Sequence, residues 1–87
     1  MGKIGLGIIT CNREEFYTKC YSSIPQNKID SLITVNDGKQ YDKPPPAGAY
    51  IHHEQNKGVG VSKNVAMQWL LEAGCDHIFL IEDDILI

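Results

Sequence analysis

The chain has 87 residues, 43% of them apolar and 22% charged, with a formal net charge of −3; this suffices for one small core and excludes a second domain. Its basic residues are dispersed and include a single arginine, Arg13, which argues against a duplex nucleic-acid surface built on clustered lysine and arginine. No apolar segment approaches the roughly 20 residues that cross a bilayer, and the odd, widely spaced cysteines at 11, 20 and 75 read as reduced thiols of a cytoplasmic protein rather than a zinc or disulfide framework.

Residues 4–10, IGLGIIT, predict a strand whose glycines at 5 and 7 admit a close neighbour. CNREEFYTKCYSSIP then predicts a short helix, with Asn12 as a cap, Glu14 and Glu15 in its first turn, and an apolar stripe of Phe16, Cys20 and Ile24 before Pro25. A second strand is expected over Leu32–Val35, ending in the turn residues Asn36-Asp37-Gly38. Three consecutive prolines make KQYDKPPPAG an exposed loop, and AYIHH a short third strand. In a strand, His52 and His53 point to opposite faces, which disfavours a shared metal.

The next helix is expected over residues 60–73, with Val61, Val65 and Trp69 recurring every four residues, Ala66, Leu70 and Ala73 widening the stripe, and Gly74 as the stop. A fourth strand, apolar from Ile78 to Ile81, follows and reads as covered on both faces. Strands separated by crossover helices predict an α/β fold with a mostly parallel sheet and flanking helices. In such sheets ligands bind beyond the carboxyl ends of the strands. Four polar clusters fall there: residues 10–13, 36–38, 54–63 and 82–84.

The sharpest cluster is Glu82-Asp83-Asp84. Adjacent carboxylates repel, and a hard divalent ion relieves that cost through oxygen ligands. Period two places Glu82 and Asp84 on one face and Asp83 on the other. Taken alone, the triplet equally suits a solvated acidic turn. Asp37 can accept from a base N–H or a ribose hydroxyl, yet Asn-Asp-Gly is also ordinary turn chemistry. Arg13 suits a phosphate or a surface salt bridge. NKGVGVSKN, residues 56–64, lacks both the P-loop order and the dinucleotide fingerprint, and leaves a glycine-rich turn at a helix start.

Together, IGLGIITCNR, ITVNDGK, NKGVGVSKN and IFLIEDDIL resemble, in family order, the donor-binding half of GT-A-type nucleotide-sugar glycosyltransferases, close to the inverting enzymes of family two. The resemblance implies a truncated GT-A fold in which 1–87 forms a single nucleotide-sugar-binding domain of a longer enzyme, cytoplasmic or at the cytoplasmic face of a membrane. It implies that Thr10, Asn12, Arg13, Asp37, Lys63, Asn64 and Asp83 bind the nucleotide sugar, a UDP-sugar by analogy. Asp84, with Glu82, would hold Mn2+ or Mg2+ in the manner of the family's D-x-D element. Lys63 departs from the arginine usual there. The family's general base and acceptor-binding segments follow D-x-D, so donor binding rather than complete transfer is expected of these residues. Two other readings stand beside this one. A nucleotidyltransferase is disfavoured because no G-x-G-x-R-[ML] loop follows the first strand. A non-catalytic assembly module would form homo-oligomers through an exposed sheet edge.

Overall fold

A computed structural model of the chain describes residues 2–39, 41, 48–53 and 55–83. Strands β1 (Ile4–Thr10), β2 (Ser31–Asn36), β3 (Ala49–His52) and β4 (His77–Glu82) form one sheet in the order β3-β2-β1-β4. Every pairing among them is parallel. Helix α1 (Glu14–Ser23) and a short 3-10 turn link β1 to β2, and helix α2 (Val59–Glu72) links β3 to β4. The expected α/β architecture therefore forms as an all-parallel sheet of four described strands. Of the segment expected to be an exposed loop, residues 40 and 42–47 lie outside the described residues, while Tyr41 is buried in the core rather than exposed.

The two helices cover opposite faces of the sheet. On the α1 side, Leu6, Ile8 and Leu32 pack with Tyr17, Cys20, Ile24 and Tyr41. On the α2 side, Ile9, Ile33 and Val35 pack with Ala66, Leu70 and Cys75. The glycines of β1 permit the second layer. A Cβ at Gly5 would stand 2.6 Å from Cys75 Sγ, and one at Gly7 would stand 3.0 Å from the Ala66 Cβ, so α2 lies against bare backbone.

Both helical stripes depart from expectation at their first residue. In α1 the inward residues are Tyr17 and Cys20, while Phe16 is 50% exposed and lies beneath the Arg13 guanidinium, 5.9 Å from its ring centroid. A buried tyrosine wins this position because its hydroxyl finds Thr34 Oγ1 at 2.9 Å on the facing strand β2. In α2 the buried row is Ser62, Ala66 and Leu70, with Val61 exposed and Val65 and Trp69 at the flank. Close packing on Gly5 and Gly7 favours small residues at the centre of the contact and moves the large ones aside. Asn12 does not cap α1. The cap position is Arg13, without a side-chain bond, and Asn12 takes a left-handed φ of 54°.

Helix α2 ends as Gly74 predicted. Gly74, at φ 85°, donates to the Leu71 carbonyl, and Cys75 N–H donates to the Leu70 carbonyl, the paired bonds of a Schellman stop. Strand β4 differs from the expected doubly covered strand, because among the described strands it stands at the sheet edge and Phe79 is 56% exposed.

A candidate ligand cavity at the strand ends

Strand order fixes where a ligand could enter. From β1 the chain moves outward to β2 and β3, then returns past β1 to β4 on the other side. The direction of winding reverses between β1 and β4, and in open parallel sheets such a reversal leaves a crevice at the carboxyl ends. A cavity of about 230 Å3 lies there, lined by Ile9, Thr10, Cys11, Arg13, Asp37, Asn56, Gly58, Val59 and Glu82. All four polar clusters singled out in the sequence contribute to it.

Beneath its rim, Thr10, Tyr41, Arg13 and Asp83 form a closed polar circuit. Thr10 Oγ1 donates to Asp83 Oδ2 at 2.8 Å, so its bond with the Tyr41 hydroxyl takes its proton from Tyr41. The Tyr41 oxygen in turn accepts the Arg13 backbone N–H at 3.1 Å. Burial raises the Tyr41 pKa above its ordinary value against the lowering effect of the Thr10 and Arg13 bonds, which keeps the phenol protonated as this order requires. The circuit closes where Arg13 Nη2 lies 2.6 Å from Asp83 Oδ1. That contact falls off the N–H direction, so Oδ1 has the cation beside it but no hydrogen bond among the described residues.

On the other side Asp37 organises the glycine-rich turn. Its Oδ1 accepts from His53 Nδ1 at 2.8 Å and from Lys57 N–H at 2.9 Å, while Oδ2 accepts from Gly58 N–H at 2.8 Å. Its backbone carbonyl accepts from Asn56 Nδ2 at 2.9 Å. Burial alone would raise the Asp37 pKa. The Lys57, His53 and Gly58 bonds, with the favourable charge of His53, outweigh burial and hold it below the usual carboxylate value. Gly58 sits at φ 92° and ψ 157°, a conformation suited to glycine, and directs the chain into α2.

The residues expected at the site therefore separate. Thr10, Arg13, Asp37 and Glu82 line the cavity together. Asp83 is buried beneath Arg13, its carboxylate engaged by Thr10 and the guanidinium. Asn12 faces a shallow depression with Glu14, Lys39 and Tyr41, where its Oδ1 accepts the Lys39 N–H at 2.8 Å. Lys63 and Asn64 are not in the cavity wall. Asn64 lines a separate groove with Ile51, Val61 and Trp69. Asp84 lies outside the described residues, and among those described no group of three histidine, cysteine or carboxylate side chains is placed to hold a metal. Glu82, exposed at the rim, is the described member of the triplet that reaches the cavity.

No family model, curated protein or solved structure matches this chain. The geometry of the cavity thus carries the functional reading.

Sequence reasoning did not assign Tyr41, His53 or Asn56. Tyr41 and His53 are joined to the site by contacts across the sheet that no local pattern encodes. His53 lies one residue beyond the end of β3, and the two rings reach neighbouring residues of one turn: His52 Nε2 meets the Gly38 carbonyl at 2.6 Å, and His53 meets Asp37. No helix among the described residues is long and apolar enough to cross a membrane.

Proposed function

We propose that the domain binds a nucleotide-diphospho-sugar and serves the donor half of a GT-A-type glycosyltransferase. The observation that carries this reading is the convergence of Thr10, Arg13, Asp37 and Glu82 on one cavity at the reversal between β1 and β4. Asp37 Oδ2 accepts one described hydrogen bond, leaving capacity for a base or ribose donor. Arg13, with its side chain 44% exposed, offers outward N–H groups to phosphate oxygens while paired to Asp83. The amino end of α2 adds a positive dipole beside Gly58 and Val59.

Glu82 supplies hard oxygen donors at the rim, chemistry that suits Mg2+ or Mn2+, with Asp84 as the proposed second ligand. Such an ion would neutralise charge on a departing diphosphate. Asp83 has a different part in this proposal: it holds Arg13 in place.

Calorimetric titration with UDP and Mn2+ tests the reading. Wild type is expected to bind, and Glu82→Ala to bind about tenfold more weakly through loss of a charged ligand. Equal affinity in the two proteins would remove the metal-assisted site.

The exposure of Phe79 on edge strand β4 favours a second reading, assembly of copies by strand pairing. Sedimentation of wild type and Phe79→Lys distinguishes it, since a dimer abolished by the lysine supports assembly and a monomer at all concentrations excludes it.

A further inference from the structure

His53 lies at the carboxyl end of β3, 9% exposed, with its backbone N–H donating to the Asn36 carbonyl at 2.9 Å and Nδ1 set against Asp37 Oδ1 at 2.8 Å. A carboxylate only accepts, so the shared hydrogen belongs to Nδ1. The same Asp37 carboxylate receives the Lys57 and Gly58 amides, and the Asp37 carbonyl receives the Asn56 side chain. Asp37, Asn56, Gly58 and Val59 together make one side of the cavity. Two backbone amides and one ring nitrogen thus share a single buried carboxylate, and the ring is the partner that comes from a different strand end.

We infer that His53 is a positioning residue: by fixing the Asp37 carboxylate it holds the 56–58 turn as the wall of the cavity. A carboxylate bonded by amides from one turn alone can rotate with that turn. Anchored from β3 as well, it keeps both oxygens aimed at Lys57 and Gly58, and the turn stays open in the shape seen here. His53 touches neither the cavity nor a ligand within it, and it acts only through Asp37. The assignment rests on the nucleotide reading for the choice of probe, whereas the hold on the turn exists without any ligand.

The test compares His53→Asn with His53→Gln. Asparagine places an N–H near the position of Nδ1 and glutamine near that of Nε2, so the two variants differ in donor position more than in polarity. Amide hydrogen exchange in the ligand-free protein is expected to accelerate about tenfold at Lys57 and Gly58 in His53→Gln, and to stay within about threefold of wild type in His53→Asn. Ile33, central in the sheet, should exchange alike in all three. Affinity for UDP with Mn2+ should fall with the glutamine and be retained with the asparagine.

Equal protection at Lys57 and Gly58 in the two variants overturns the assignment, whether both keep it or both lose it, and loss at Ile33 in both marks a purely structural role and overturns it too. If wild type binds no UDP while the exchange pattern holds, the positioning role stands and the nucleotide reading falls. UDP binding with an unchanged exchange pattern does the reverse.

Discussion

Arg13 meets Asp83 at both ends of one circuit, by a guanidinium nitrogen 2.6 Å from Oδ1 and by a backbone N–H that reaches Oδ2 through the hydroxyls of Tyr41 and Thr10. The Asp83 side chain is fully buried, and that of Arg13 is 44% exposed. Removing the cation strands a buried charge, whereas removing the carboxylate leaves an arginine that water can solvate. Arg13→Ala is therefore expected to cost about 2 kcal/mol in urea denaturation, and Asp83→Asn less. A larger loss for Asp83→Asn would show that the circuit, not the desolvated charge, dominates.

Tyr41→Phe cuts the same circuit without emptying the core. It leaves Thr10 Oγ1 and the Arg13 N–H without their phenol partner, at a cost on the order of 1–3 kcal/mol. Thermal unfolding indistinguishable from wild type would mean that water replaces the hydroxyl.

Asp37 gives a pH signature. Its folded pKa lies below its ordinary value, and an acid depressed on folding stabilises the protein fully above its unfolded pKa and loses that contribution as pH falls through the folded one. The stability gap between wild type and Asp37→Asn should therefore narrow as pH falls below about 4. A gap that persists undiminished at pH 3 would assign the effect to shape rather than charge.

Gly58 and Gly60 make a matched pair, since a Cβ would meet no atom within 4 Å at either position. Gly58 holds φ 92° ahead of the helix, and Gly60 lies within it. Gly58→Ala is expected to cost about 1–3 kcal/mol from backbone strain, and Gly60→Ala to gain up to about 1 kcal/mol from helix propensity. Opposite signs in one denaturation series carry the prediction, and a shared sign defeats it.

Period and punctuation made the elements legible. Apolar runs marked β1, β2 and β4, and Gly74 marked the end of α2, because those signals act within a few residues. The stripe of α1 was misplaced at its first residue, because the choice of Tyr17 over Phe16 depends on Thr34, far along the chain in β2. The polar clusters were legible as strand ends, which brought Thr10, Arg13, Asp37 and Glu82 together. Lys63 and Asn64 were assigned by their place in a motif, and one or two residues of helix turn a side chain away from the cavity however close it is in sequence.

The two layers on either side of the sheet are held to different standards of fit. Between α2 and the sheet the buried cluster consists of aliphatic side chains and the Cys75 sulfur, with Trp69 at its flank, contacts that constrain volume. Against α1, Tyr17 and Tyr41 are placed by hydroxyls that must meet Thr34 and Thr10. A combinatorial library that conserves only size and hydrophobicity should yield many folded members when drawn from the first layer and few from the second. The chain therefore has one half open to gradual redesign and one half that changes only by matched substitutions, and the cavity borrows walls from both.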